Sequence, residues 1–156
     1  MTLYQNDPRL SREPSLAPFG CLVTTLREIV ERKYNRVVPP ETWLAVYRRL
    51  VRSGVVRDDE ELRAFVMNHE GVLRSVAEVL DVESPCLYVL RRSRAGDDKH
   101  DFDKGPKPNA WIAQARIQGA TNSHFYEIFE DGDCAWDPLW PTRRKIKTIS
   151  VRGYLL

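Results

Sequence analysis

Cysteine, histidine and strings of apolar residues are all scarce in this 156-residue chain, and each scarcity removes a class of protein. Three cysteines, an odd number, cannot close a disulfide framework and fit synthesis in a reducing compartment. Neither they nor the three histidines have the spacing of a zinc site, and no cofactor or metal is implied. No run approaches the roughly 18 apolar residues of a membrane-spanning helix, and no basic-then-apolar leader precedes Tyr4. The chain is therefore expected to be cytoplasmic at synthesis, without a membrane segment. A net charge of +2 is too small to argue for nucleic acid. What is present, 42% hydrophobic and 29% charged residues, predicts one soluble domain over residues 1–156 with enough apolar bulk for a core.

Cys21 is the most informative residue. It is followed by Leu22, Val23, Leu26, Ile29 and Val30, at the spacing of a helix that buries one face. Pro18 and Gly20 are poor helix-interior residues, so the helix starts within a residue or two of the thiol. Free backbone N–H groups and the positive end of the helix dipole stabilise a thiolate there, which is the nucleophilic form. The plainer reading is packing, because free cysteine is among the most buried residue types.

The C-terminal third supplies two further groups. Ser123 to Glu130 and Asp133 to Pro138 read as aromatic-rich strands joined by an Asp131-Gly132 turn. With a two-residue loop, Glu130 pairs with Asp133 and Tyr126 lies opposite Asp137. His124 then shares a face with Asp137 as its diagonal neighbour, at roughly 7–8 Å between backbones. A four-residue loop keeps this parity, and a three-residue loop reverses it. A cysteine nucleophile needs a base to take its proton and a third group to orient that base, and Cys21, His124 and Asp137 are the residue types for those roles. Read singly, His124 is a half-exposed strand residue and Asp137 a turn residue before Pro138.

Between the two ends the pattern is helical and then extended. Pro39-Pro40-Glu41 opens a helix with Trp43, Leu44, Tyr47, Leu50 and Val51 inward, closing at Ser53-Gly54. Asp58 to Glu61 has the acidic first turn of a short segment through Phe65, and Asn68 caps a helix through Leu80. Strands are predicted at Cys86 to Arg91, Ala110 to Ile117, His124 to Glu130, Asp133 to Asp137 and about Lys145 to Gly153. Helices first and an antiparallel sheet second make an α+β chain. Arg94 to Asn109 reads as a long polar loop. Its Asp97, Asp98, His100, Asp101 and Asp103 fit no calcium-loop template. His100 and His69 are rival bases without a strand partner. Cys86 and Cys134 read as packing, the latter on the hairpin face opposite Asp137.

These residues resemble the papain-like cysteine peptidases related to the peptidase domains of bacteriocin-processing transporters, especially small stand-alone members, often encoded by phages or prophages. The match lies in Tyr4-Gln5-Asn6-Asp7-Pro8, then Gly20-Cys21-Leu22-Val23, then His124-Phe125-Tyr126, then Trp136-Asp137-Pro138, from Tyr4 to about Trp140. Each motif is short, and the specificity lies in their order. The resemblance implies a papain-like fold with the cysteine helix against the sheet. It also implies that Gln5 donates its side-chain amide to an oxyanion hole completed by the Cys21 N–H. Leu22 and Val23 stand where the family has small residues, and Tyr126 and Glu127 where aliphatics are common.

The expectation is a cysteine hydrolase cleaving a peptide or isopeptide bond through a thioester acyl-enzyme, with a peptide, protein or peptidoglycan substrate. That substrate class rests on the resemblance alone. Trp111, Trp136 and Trp140 are candidate cleft residues, two of them core. The runner-up is an idle papain-like binding module. A third reading is an accessory domain binding nucleic acid through Arg48, Arg49, Arg52 and Arg57, although arginines on an outer helix face are usually only solvated.

Overall fold

The punctuation around Cys21 has a steric basis. Pro18 lies in the four-residue helix α1 (Leu16–Phe19), and Gly20 separates it from α2 (Cys21–Tyr34). A Cβ on Gly20 would lie 2.5 Å from the Leu16 carbonyl oxygen and 2.9 Å from the Leu16 Cα, so only glycine lets the two helices meet this closely. The Gly20 carbonyl then accepts the first α2 bond from Thr24 N, at 2.9 Å. At the other end α2 stops on Asn35, which takes the left-handed conformation (φ 49°) that asparagine tolerates.

The computed structural model describes residues 3–82, 88–94, 107–139 and 144–156. After α2 come α3 (Pro40–Arg52), a two-stranded ribbon of β1 (Val56–Arg57) and β2 (Phe65–Val66), and α4 (His69–Val79). Five antiparallel strands follow, β3 (Tyr88–Arg94), β4 (Ala110–Ile117), β5 (Ser123–Ile128), β6 (Cys134–Trp136) and β7 (Lys145–Leu155), in the order β3-β7-β4-β5-β6. The chain is α+β, with helices leading and an antiparallel sheet following. The Asn68 cap is present, its side chain accepting from Gly71 N at 3.0 Å.

The main core lies between the helices and one sheet face. Leu26, Ile29, Trp43, Tyr47, Leu50 and Leu73 meet Ile112 and Tyr154 there. Helix α2 departs from the one-faced expectation, being buried all round from Cys21 to Glu31 because α1, α4, β2 and β5 all pack on it. Three charged residues therefore enter the interior. Arg27 is fully buried, with Nε 3.3 Å from Glu31, Nη2 3.6 Å from Glu28 and its guanidinium 5.4 Å over the Trp43 ring. It also donates to the Leu3 carbonyl, and so holds the N-terminal segment against α2. Glu31 in turn accepts from Val38 N at 2.7 Å.

The opposite sheet face carries a small second cluster of Ala113, Ala115, Tyr126, Ile128 and Val151, beside Trp111. His124 belongs to this face, since it stands opposite Ala115 as Tyr126 stands opposite Ala113.

The β5–β6 hairpin differs from its expected form in two ways that cancel. Phe129 N bonds Asp133 O at 2.8 Å, leaving a three-residue loop of Glu130, Asp131 and Gly132, with Gly132 at φ 94°. Such a loop alone would reverse the parity. However, Ile128 pairs with Cys134 while Glu127 pairs with Trp136, so Ala135 is an extra, bulged residue. The bulge restores the register that sets Asp137 opposite Tyr126. The three-residue loop sets Cys134 opposite Ile128, on the same face as Asp137, and Cys134 is exposed rather than packed, which corrects the expectation for that residue.

A second correction concerns Asp58 to Phe65, which form no helix. Asp59 Oδ1 accepts from Glu61 N and Leu62 N, both at 2.9 Å, and closes a loop between β1 and β2. The side chain satisfies locally the backbone donors that a helix would have used. Asp58 instead accepts from Ser15 Oγ at 2.7 Å and Tyr47 OH at 3.2 Å. The first strand of the large sheet is described from Tyr88 and runs on to Arg94. Cys86, His100, Trp140 and the aspartates from Asp97 to Asp103 lie outside the described residues.

The α1–α2 junction gives a direct test. Gly20→Ala should destabilise the protein by about 1–3 kcal/mol, because the methyl meets the backbone of Leu16 rather than a flexible side chain. Chemical denaturation measures this, and an unchanged midpoint would contradict the tight junction.

Candidate active site

The start of α2 is tied to the strand that carries the histidine. Thr25 Oγ1 donates to the Cys21 carbonyl at 2.7 Å and approaches the Phe125 carbonyl at 3.4 Å. Cys21 is buried, at 8% exposure.

His124, 4% exposed, faces two partners. Its Nε2 lies 2.6 Å from Asp137 Oδ1, and the Cys21 side chain lies near enough to act on its titration. With Nε2 committed to the carboxylate, Nδ1 is the nitrogen left for sulfur. Burial pulls the imidazole toward its neutral form, but the hydrogen bonds and charges of Asp137 and Cys21 outweigh it and raise its pKa to about 9.

Asp137 Oδ1 also accepts from Leu139 N at 2.9 Å, and Oδ2 accepts from Lys145 Nζ at 2.7 Å. Burial alone would push this carboxyl up. The bonds from His124, Lys145 and Leu139 prevail and hold it below its ordinary value.

Gln5 is buried and fixed at both ends. Its backbone N–H donates to the Pro138 carbonyl at 2.8 Å, next to Asp137, and its Nε2 donates to the Ala17 carbonyl at 2.7 Å, one turn before Cys21. One amide hydrogen remains after the Ala17 bond. Oε1 has no hydrogen-bond partner among the described residues. The thiol, imidazole and carboxylate are thus gathered in one chain of contacts, and Gln5 bridges the segments that flank it. These residue types can serve as a nucleophile, a base and an orienting anion. No family model, curated protein or solved structure matches the chain.

Other expected residues take different places. His69 Nδ1 meets Tyr154 OH on β7 at 2.9 Å. Trp136 stacks on Tyr4 with ring centroids 5.8 Å apart, joining the neighbours of Asp137 and Gln5, while Trp111 packs in the second cluster. Three of the four candidate arginines are paired with acids: Arg48 with Glu13, Arg49 with Glu78 at 3.1 Å, and Arg57 with Asp59 and with Glu61 at 3.0 Å. Among the described residues no three or more His, Cys, Asp or Glu side chains gather to hold a metal ion, and no helix is long and apolar enough to cross a membrane.

Sequence reasoning missed Lys145. Besides Asp137, it lies 3.8 Å from Cys134 Sγ and 4.5 Å from the Tyr126 ring centroid. A lysine at the start of a strand looks like any solvated charge. Only the bulge-corrected hairpin face, known from coordinates, would have pointed to it.

The raised imidazole couples to stability. Because His124 binds its proton more tightly in the fold than at its ordinary 6.5, the folded state holds more protons between that pH and about 9. The stabilisation is complete below 6.5 and is lost as pH rises through about 9. Denaturant unfolding at pH 6 and 9.5 should therefore show a fall of at most roughly 3 kcal/mol, largely removed by His124→Gln. Equal or greater stability at the higher pH, with the same result in the variant, would contradict the assignment.

Proposed function

We propose that this protein is a papain-like cysteine hydrolase that cleaves a peptide or isopeptide bond through a thioester acyl-enzyme. The observation that supports this reading is the contact chain from the Cys21 thiol through His124 to Asp137, with Cys21 at the N-terminus of a buried helix. His124 takes the thiol proton first, and the Cys21 sulfur then attacks the carbonyl carbon. His124 then returns that proton to the leaving amine, and the thioester remains. Water, deprotonated by the same imidazole, attacks the thioester and releases the acid and the thiol. Asp137 keeps the ring in the tautomer and orientation these steps need. The developing oxyanion would be met by the Cys21 N–H and the second Nε2 hydrogen of Gln5. The resemblance to stand-alone phage-type members suggests peptidoglycan cross-links or a phage or host protein as substrate.

One observation favours the alternative of a binding module with an idle set: Cys21 and His124 expose little of themselves to solvent. Reactivity separates the two. In the enzyme, iodoacetamide at neutral pH should alkylate Cys21 far faster than the exposed Cys134, as read by peptide mapping, and His124→Ala should slow it by roughly 10-fold or more. Cys21 reacting no faster than Cys134 would favour the idle module. Once a cleaved peptide or peptidoglycan fragment is found, Gln5→Ala should lower kcat by about 10²–10³.

A further inference from the structure

Resting on the hydrolase reading, we propose that Lys145 is a positioning residue of the site, the cation that balances its charge and keeps His124 acidic enough to return a proton. The geometry is specific. Asp137 presents Oδ1 to His124 Nε2 at 2.6 Å and Oδ2 to Lys145 Nζ at 2.7 Å, so one carboxylate is shared by two cations. Once the Cys21 proton has passed to His124, the sulfur, ring and carboxylate together carry one net negative charge. With the ammonium included, charges alternate along the chain of contacts and sum to zero, which a site removed from water requires.

Orientation of Asp137 does not depend on Lys145 alone. Leu139 N–H fixes Oδ1 at 2.9 Å, and the hairpin register fixes the backbone. What Lys145 contributes uniquely is charge. Facing the His124–Asp137 pair are Cys21 from α2, Tyr126 from β5, Cys134 from β6 and Lys145 from β7, and Lys145 is the one permanent cation among these four. Its position over the Tyr126 ring, at 4.5 Å, holds the ammonium on this face. Without it, the unbalanced carboxylate would hold the imidazolium proton too tightly. Attack by sulfur would survive, and proton return to the leaving amine would suffer.

The test follows the His124 ring by NMR across pH in the wild type, Lys145→Met and Lys145→Arg, alongside the pH profile of Cys21 alkylation. Lys145→Met should raise the His124 inflexion by roughly 0.5–2 units, the effect of a unit charge a few ångströms away at an effective dielectric between about 80 and 20. Lys145→Arg should restore it. The upper limb of the alkylation profile should move the same way. An inflexion that stays in place, or falls toward 6.5 because Asp137 has swung away, overturns the proposal. If Lys145→Met does not fold, Lys145→Gln removes the same charge with a polar side chain. Failure of the hydrolase reading looks different: wild-type Cys21 would then be no more reactive than Cys134, whatever the His124 inflexion does.

Discussion

A buried positive charge organises this fold. Arg27 sits on the most enclosed helix of the chain, where burial works against its ionised form and Glu31 and Glu28 act against that loss. Removing a charged group from water is costly unless it is surrounded by partners, and here the partners come from separate parts of the chain. Glu31 and Glu28 lie on the same helix, Trp43 comes from α3 and the Leu3 carbonyl from the N-terminal segment. Anchoring Leu3 fixes where Tyr4 and Gln5 can lie. Gln5 then reaches both the turn before Cys21 and the residue after Asp137. Crowding has a second consequence on this helix. Burial pushes the Glu28 carboxyl above its ordinary range, with Arg27 opposing the rise.

The second constraint is parity. A side chain on a strand faces one way or the other, and one residue more or less in a turn exchanges the faces. The three-residue loop at Gly132 and the bulge at Ala135 each shift the register by one, and together they leave Asp137 on the face of His124. The carboxylate that orients the imidazole thus depends on two local irregularities that compensate.

Much of this was legible in the sequence. Helix α2 beginning at Cys21, the Asn68 cap and the span of β4 all follow from apolar spacing, capping chemistry and strand alternation, whereas His124 and Asp137 share a face only because a loop and a bulge that spacing does not announce cancel. What was not legible depends on tertiary context. Aspartates after a helix look like the first turn of another, yet Asp59 spends its oxygen on two loop amides. Arg27 reads as the polar face of an amphipathic helix until four elements close around it. Cys134 changed face through a three-residue loop that no spacing rule announces, and Lys145 gains meaning only from the neighbour it meets across the sheet.

Function here requires the Cys21 thiol and the His124 ring to act on one another. Measuring the His124 ring titration in the wild type and in Cys21→Ala tests this most directly, because the thiol is one of the two groups that lift the imidazole to about 9. The account predicts an inflexion that falls clearly when the sulfur is removed, while the Asp137 contact keeps it above 6.5. An inflexion that does not change on losing the thiol would contradict it.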